Sequence, residues 1–110
     1  MTKQELLKTH FGYDTFREGQ EAVIDALLAG KDVLAVMPTG AGKSICYQVP
    51  ALMMKGITLV ISPLISLMKD QVRSLNQAGI SAAYLNSSLT QGQYFTALRY
   101  AKAGRYPIIY

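Results

Sequence analysis

A short glycine-rich stretch at residues 36–48, VMPTGAGKSICYQ, contains the residue types that bind phosphate. Gly40 and Gly42 can adopt positive φ and let backbone N–H groups close around phosphate oxygens. Lys43 supplies a mobile positive charge for the β- and γ-phosphates of a nucleotide, and Ser44 supplies a hydroxyl ligand for Mg²⁺. This spacing therefore predicts a phosphate-binding loop in which Lys43 is the catalytic cation.

One position of the loop departs from the strict pattern G-x-x-x-x-G-K-[ST], because Met37 occupies the place of the first glycine. An apolar stretch before the loop and a helical pattern after it favour the phosphate-binding interpretation. The alternative is an ordinary glycine-rich turn between a strand and a helix, with an incidental lysine. The predicted nucleotide-binding residues of the loop are Pro38, Thr39, Gly40, Ala41, Gly42, Lys43 and Ser44.

A phosphate-binding loop alone does not hydrolyse a nucleotide, because hydrolysis also needs an acidic group for Mg²⁺ and for the attacking water. After Ser44 the only carboxylate side chain belongs to Asp70. Asp70 lies in a helical pattern and not at the end of an apolar strand, so we expect it to be a solvated charge. The sequence therefore predicts nucleotide binding at most by these residues alone.

Helical and strand patterns alternate along the chain and must position the loop. Thr2 with Glu5, and Thr15 with Glu18, have the spacing of helix capping boxes. Pro50 falls within the helix that follows the loop and is expected to kink it or to end its first part. The predicted strands cover residues 32–37, 57–61, 80–85 and 107–110, and the predicted helices begin near residues 2, 15, 42, 64 and 90.

This alternation predicts an α/β fold, in which a parallel sheet carries helices on both faces. Three of the strands are almost wholly apolar, which indicates parallel strands covered on both sides. The chain ends at a fourth strand, residues 107–110, which we expect to form an exposed sheet edge. Such an edge could pair with another copy and make an artificial dimer, and it indicates the N-terminal piece of a longer protein.

Composition excludes several classes of protein. The 110 residues are enough for one small domain, and half of them are hydrophobic, so the chain is not a disordered tail. The net charge of +4 comes from scattered residues and fits a solvated surface as well as a nucleic-acid partner. A single cysteine, no signal-peptide pattern and no apolar run of membrane-spanning length predict a cytoplasmic protein without a membrane partner.

Three stretches together resemble the start of RecQ-family DNA helicases. They are FGYDTFREGQ at residues 11–20, MPTGAGKSICYQVPA at residues 37–51 and SPLISLMKDQV at residues 62–72. The loop of these helicases also lacks the first glycine of the strict pattern, so Met37 at that position agrees with the resemblance. The resemblance implies that residues 1–110 form the N-terminal part of the first RecA-like, P-loop domain of a helicase, without its Walker B acid, second RecA-like domain or accessory domains.

The first of these stretches resembles the adenine-reading motif of the family. The resemblance implies that Gln20 hydrogen-bonds the edge of adenine, and that Tyr13 and Arg17 stack on the base or flank it. An amide can pair with a ring nitrogen and an amino group together, and an aromatic or guanidinium plane can cover a base. From the residues alone, Phe11 and Phe16 could instead anchor helix ends to the core while Gln20 lies on a solvated face.

The third stretch resembles a motif that holds the sugar–phosphate backbone of single-stranded DNA. Ser62 follows a predicted strand, at the edge of the sheet where α/β proteins bind ligands, and Asn86 and Ser87 follow another. The apolar side chains at positions 64, 67 and 68 are expected to pack in the core. The predicted DNA-binding residues are Ser62, Pro63, Leu64, Lys69, Asn86 and Ser87.

The resemblance implies an ATP-dependent 3′–5′ DNA helicase of DNA repair and recombination, which uses ATP and Mg²⁺ and acts on single-stranded and duplex DNA. Two alternatives follow from the residues without the resemblance. One is another P-loop enzyme, such as a small-molecule kinase, and the other is an inactive folding or interaction fragment.

Overall fold

The computed structural model describes residues 2–37, 42–62 and 64–110. The chain divides into two compact units, Met1–Lys55 and Gly56–Tyr110. Helices dominate the first unit. Its elements are α1 (Lys3–Leu6), a π-helical turn that continues α1 (Leu7–Phe11), α2 (Gln20–Leu28) and α3 (Ile45–Met53).

The first helical segment begins and ends where the sequence predicts. Thr2 Oγ1 accepts a hydrogen bond from the Glu5 N–H at 3.1 Å, which satisfies a backbone donor of the first turn. The π-helical turn ends at Gly12, whose φ of +76° is a left-handed conformation that glycine adopts without steric cost.

The core of the first unit forms where α1, α2 and α3 pack together around Leu6, Ile24 and Val49. Phe11 and Phe16 are half-buried and pack against these three residues. Both phenylalanines therefore pack against the core, and Phe11 does so from the end of the π-helical turn, whereas Phe16 lies between that turn and α2.

The start of α2 differs from the predicted capping box at Thr15 and Glu18. The helix begins at Gln20, after Gly19 with a φ of +85°. A turn precedes it, in which the Gln20 N–H donates to the Arg17 carbonyl at 3.1 Å. This turn occupies the positions that a capping box would need, so the helix begins several residues later than predicted.

The segment at residues 32–37 was predicted to be a buried strand, and this prediction is wrong. These residues belong to no strand, and the side chains of Leu34 and Val36 are 92% and 90% exposed. A strand exists only where another strand accepts and donates its backbone hydrogen bonds, and the strands of the described residues pair with one another instead.

Helix α3 begins close to the predicted position, with Ser44 as the residue before its first turn. Pro50 lies inside the helix and is buried, and the helix continues past it to Met53. Pro50 therefore does not end α3 at once, although the helix stops within one turn of it, where the Met54 N–H donates to the Pro50 carbonyl at 2.9 Å.

The second unit is an α/β arrangement. Its elements are β1 (Thr58–Leu59), α4 (Ile65–Gln77), β2 (Ala82–Ala83), α5 (Gln91–Lys102) and β3 (Ile108–Ile109). The described residues form a three-stranded sheet in the order β1–β3–β2, and both strand pairs are parallel. The predicted fold class, a parallel sheet with helices, is confirmed.

Strand β3 lies in the centre of this sheet. Ile108 is paired with Thr58 on one side and with Ala82 on the other. Both isoleucines of β3 are buried. The expectation that residues 107–110 form an exposed edge, through which an artificial dimer could pair, is wrong because neighbours occupy both sides of the strand.

Burial of β1 is one-sided, contrary to the prediction of a strand covered on both faces. Ile57, Leu59 and Ile61 share one face by the two-residue period of a strand, and all three are exposed. Thr58 and Val60 on the opposite face are half-buried.

The helices of the second unit begin close to the predicted positions, residues 64 and 90, but the first turns of α4 are exposed. Leu64 is 57% exposed and Leu67 is 44% exposed, so the expectation that both pack in the core is wrong. The buried residues of α4 are Val72 and Leu75, in the part of the helix that packs on β2. No helix of the described residues is long and apolar enough to span a membrane.

Candidate nucleotide-binding site

Gly42 is held in a conformation and a contact that both require glycine. Its φ is +75°, in the left-handed region, and a Cβ added to it would overlap the side-chain nitrogen of Gln20. Gly42 therefore has the positive φ that the sequence predicted it could adopt. The four preceding loop residues, Pro38, Thr39, Gly40 and Ala41, lie outside the described residues.

The side chain of Gln20 joins two segments of the site. Its Nε2 donates to the Gly42 carbonyl at 3.0 Å, and its Oε1 accepts from the Arg17 N–H at 2.7 Å. Gln20 is only 2% exposed, so the alternative that it lies on a solvated face is wrong. One amide thus ties the stretch before α2 to the last glycine of the phosphate loop, 22 residues away.

A small cavity of about 60 Å³ opens beside this amide. It brings Tyr13, Arg17 and Gln20, the three residues assigned to adenine, together with Gly42. Tyr13 is 50% exposed, so one part of its ring remains accessible to a ligand. Binding pockets for whole small molecules have volumes of about 300–1,000 Å³, so this cavity has room for the edge of a base and not for a nucleotide.

Two further residues line the cavity, and the sequence did not indicate them as part of a site. They are Thr15 and Ile45. Thr15 was interpreted as a helix cap, although it lies between Tyr13 and Arg17 in the stretch that suggested adenine binding. Ile45 directly follows the phosphate loop, and this position in the sequence could have indicated that it lines the site.

Lys43 and Ser44 form the turn that leads into α3. The Ser44 carbonyl accepts from the Gln48 N–H at 3.0 Å, which is the first intrahelical bond of α3. Lys43 is exposed and Ser44 is half-buried. Both side chains therefore lie at the N-terminal end of a nine-residue helix, where backbone N–H groups and the helix dipole favour an anion.

A second cavity, of about 200 Å³, lies between α2, α3 and residues 33–37. Its lining is mainly apolar, with Lys43 as its one charged residue. Cys46 also lines it, and burial raises the pKa of the Cys46 thiol. Among the described lining residues, Lys43 and the phenol of Tyr47 are the groups that can bond a phosphate oxygen.

The residues predicted to bind DNA all belong to the second unit. Among them, Pro63 is outside the described residues. Ser62 is half-buried, and its hydroxyl oxygen accepts from the Leu64 N–H at 3.4 Å. Asn86 Oδ1 accepts from the Ser88 N–H at 2.8 Å, and Asn86 Nδ2 donates to Met68 Sδ at 3.6 Å. The loop after β2 is therefore attached to the first turn of α4.

The remaining predicted DNA-binding residues lie on the surface of the second unit. Leu64, Lys69 and Ser87 are all exposed, and Leu64 and Ser87 follow β1 and β2 at the carboxyl edge of the sheet. Asp70 is exposed on α4, which confirms its interpretation as a solvated charge. No group of three or more His, Cys, Asp or Glu side chains able to hold a metal occurs in the described part of the chain.

Comparison with known proteins identifies the family. The model of the DEAD/DEAH box helicase family matches residues 17–110. The chain is 52% identical over 108 residues to the ATP-dependent DNA helicase RecQ of Bacillus subtilis, a match that covers 97% of this chain and 18% of that protein.

Two further relatives carry the same name. The ATP-dependent DNA helicase RecQ of Haemophilus influenzae is 54% identical over 109 residues, which is 99% of this chain and 18% of that protein. That of Pasteurella multocida is 64% identical over 89 residues, which is 81% of this chain and 14% of that protein. The chain thus spans less than a fifth of the length of these relatives.

These matches confirm the resemblance to RecQ helicases that the three stretches indicated. The family model begins at Arg17 and includes Gln20, Gly42 and the start of α3, whereas Tyr13 and Thr15 of the cavity precede the matched residues. Because that model covers most of the sequence, the chain belongs to the DEAD/DEAH box helicase family.

Proposed function

We propose that this chain is the nucleotide-binding segment of an ATP-dependent DNA helicase. The observation that supports the proposal most directly is the hydrogen-bonded bridge from Gln20 to Gly42. It joins the residues assigned to adenine to the residue that precedes Lys43, so a base and its phosphates would be bound on connected segments. The small-molecule kinase alternative has no comparable support, because the chain belongs to a helicase family.

In this proposal the phosphates bind at the N-terminal end of α3. Lys43 is exposed there and its ammonium group can reach the β- and γ-phosphates, while the helix end supplies partial positive charge. The Ser44 hydroxyl oxygen is the hard type of ligand that Mg²⁺ prefers, and this ion usually takes only one or two protein ligands beside phosphates and waters. When bound, Mg²⁺ neutralises charge on the phosphate oxygens.

Adenine would bind at the cavity beside Gln20. The half-exposed ring of Tyr13 and the guanidinium of Arg17 can cover a base, and the amide of Gln20 has the donor and the acceptor that an adenine edge requires. Both atoms of that amide already hydrogen-bond backbone groups. Nucleotide binding would therefore adjust these two bonds, and the position of Gly42 with them.

The substrate of the whole protein is proposed to be DNA, single-stranded and duplex, with Ser62, Pro63, Leu64, Lys69, Asn86 and Ser87 as contacts. The relatives are named as ATP-dependent DNA helicases, which supports this choice. We infer that residues 1–110 correspond to the N-terminal part of the first RecA-like domain. Unwinding in the 3′–5′ direction, a role in repair and recombination, and a cytoplasmic location belong to the same proposal.

The test is a calorimetric titration of Mg²⁺-ADP and Mg²⁺-ATP into the purified 110-residue chain. We expect saturable binding that is lost in Lys43→Ala and weakened in Gln20→Ala. Lys31→Ala is the matched control, because Lys31 is an exposed lysine of the same unit and no role is assigned to it.

Two results would contradict the proposal. Equal loss of affinity in Lys31→Ala and Lys43→Ala would mean that net charge, and not the loop, attracts the nucleotide. Absence of binding by a chain that circular dichroism shows to be folded would favour the alternative of an inactive folding or interaction fragment.

A further inference from the structure

Helix α5 directs one side toward the sheet of its unit and leaves the other side uncovered. Gln93 and Ala97, one helical turn apart, line a cavity of about 280 Å³ together with β2. The structure describes every residue of α5, and none of them is buried. Because most helices in proteins are stabilised by packing of one face, a partner that covered the free side would stabilise α5.

The uncovered side of α5 carries three large apolar side chains. Tyr94, Phe95 and Leu98 are 40%, 55% and 39% exposed. With about 3.6 residues per turn they lie on one stripe of the helix, about 100° wide. The rings of Tyr94 and Phe95 meet edge to face, with their centroids 6.3 Å apart. The stripe is thus a ridged apolar surface, of the kind on which the side chains of another helix pack.

Two cations lie at the C-terminal end of this stripe. Arg99 and Lys102 belong to the last turn of α5, and both are exposed. Neither forms an ion pair with another described residue. The sequence of α5 contains no carboxylate, and the second unit, Gly56–Tyr110, has five Lys and Arg residues against one acidic residue, Asp70. The uncovered side is therefore apolar in its first turns and positive at its end.

This combination of charge and shape distinguishes between possible occupants. A second copy of α5 would place no carboxylate opposite the cations, because the helix has none. A nucleic acid would pair with the cations, but the rings of Tyr94 and Phe95 stand at 80° to each other and do not form a continuous platform for stacked bases. An antiparallel helix of another protein would bring its N-terminal turn to the cations, and acidic residues are favoured in that turn.

We propose that the uncovered side of α5 binds an amphipathic helix of a partner protein. The apolar residues of that helix pack on Tyr94, Phe95 and Leu98, and its acidic first turn pairs with Arg99 and Lys102. One helix face is a small interface, at the low end of the range for protein complexes, so the complex is transient. The surface shares no residue with the proposed nucleotide site or with the predicted DNA contacts, and the inference therefore does not depend on the proposed function.

The experiment measures fluorescence anisotropy of a labelled synthetic helical peptide with the 110-residue chain. The peptide has leucine along one side and glutamate in its first turn, and a second peptide has glutamine in place of glutamate. At low salt the acidic peptide should bind about fivefold more tightly, since single exposed ion pairs are weak. Arg99→Gln/Lys102→Gln should bind both peptides equally. The control, Lys31→Gln/Arg73→Gln, removes one lysine and one arginine from exposed positions outside α5 and should keep the preference.

The apolar stripe is tested separately from the charges. Phe95→Gln/Leu98→Gln should bind the acidic peptide about tenfold more weakly or worse, because the interface loses two of its three apolar anchors. Leu59→Gln/Ile61→Gln is the control, because it removes two apolar side chains that are even more exposed, and it should bind as the wild type does. All four side chains are exposed, so the variants should stay folded, which circular dichroism checks.

Four outcomes would overturn the inference. Equal losses in the two apolar variants would mean that the peptide binds exposed apolar residues without selectivity. Displacement of the acidic peptide by oligothymidylate as readily as by unlabelled peptide would assign this side of α5 to nucleic acid. A wild-type dimer that Phe95→Gln/Leu98→Gln dissociates, measured by sedimentation, would assign it to a second copy. Absence of peptide binding by the folded wild type at low salt would contradict a docking surface on α5.

Discussion

At the scale of single residues, the amide of Gln20 determines the arrangement of the candidate site. It is buried and hydrogen-bonds two backbone groups that are far apart in sequence. A buried amide that lost either partner would leave an unsatisfied polar atom, which costs about 1–3 kcal/mol. Gly42 therefore has to keep its carbonyl within reach of Gln20 and has no room for a side chain.

Replacement of Gly42 by alanine should lower both stability and nucleotide affinity. The left-handed φ alone should cost about 1–2 kcal/mol, and overlap of the new Cβ with Gln20 Nε2 should break the bridge as well. Gly12→Ala is the control, because Gly12 has nearly the same φ, +76°, with no atom within 4 Å of an added Cβ. Urea denaturation and the Mg²⁺-ADP titration measure the two effects.

The double variant Gly42→Ala/Gln20→Ala provides a further check. Removal of the overlapping amide should reduce the extra cost of Gly42→Ala to that of Gly12→Ala, since only the backbone cost remains. Additive effects of the two substitutions would show that the contact between them does not determine stability.

At the scale of secondary-structure elements, an ion pair network fixes α1 against α2. Lys3 Nζ bonds Asp25 Oδ1 and lies 2.8 Å from Glu21 Oε2. The hydrogen bond that Lys3 donates to Asp25, followed by the one that it donates to Glu21, raises the pKa of Lys3 above its ordinary value of 10.5. The charged lysine is thus favoured more in the folded state than in the unfolded state.

Replacement of Lys3 by methionine should lower the melting temperature at neutral pH, because it removes both ion pairs. A pKa that is higher in the folded state gives stability that is fully present below the unfolded value and is lost as pH rises through the folded value. The difference in melting temperature between the wild type and Lys3→Met should therefore be constant from neutral pH to about pH 10 and shrink above it. A Lys8→Met control should show a smaller difference, because Lys8 and Asp14 are both largely exposed, 3.7 Å apart. A wild-type advantage that grows with pH would contradict this assignment.

At the scale of the whole molecule, several apolar side chains are exposed outside the helices. Leu34 and Val36 belong to residues 32–37, and Leu59 and Ile61 belong to β1 and the residues after it, and each of the four is more than 70% exposed. Exposed apolar residues on strand-like backbone favour association between chains. The purified chain is therefore expected to self-associate as its concentration increases.

Charged substitutions at two of these positions should reduce association without unfolding the chain. Leu34→Lys and Ile61→Lys each place a charge where the native side chain is already in water, so stability should change by less than about 0.5 kcal/mol. Light scattering over a range of concentrations measures the association. Loss of secondary structure in either variant would mean that the side chain is buried in solution. Gln91→Lys, at an exposed polar position, adds the same charge and controls for the effect of charge alone.

The sequence predicts those features of the fold and the site that depend on residues close together in the chain. The cap at Thr2 and the starts of α4 and α5 follow from neighbouring residues, and the structure agrees with them. The phosphate loop is also a local pattern, and its role stays a prediction. Residues 32–37 have a strand-like composition but form no strand, because pairing depends on segments distant in sequence. The hydrogen bond between Gln20 and Gly42 could not be predicted either, because the two residues are 22 positions apart in sequence.

The difference in net charge between the two units could have been found from the sequence alone. The net charge of +4 was treated as scattered, although a count of each half separates a neutral half from a basic one.

The central position of β3 has a consequence for synthesis of the protein. β1 and β2 each pair with β3, which follows both of them in the chain. A ribosome releases β1 and β2 before their shared partner exists, so these three strands cannot pair until residues 108–109 have emerged. The core around Leu6, Ile24 and Val49 needs no residue of the second unit and can form earlier. The helical unit that carries the candidate nucleotide site is thus able to fold while the sheet is still being made.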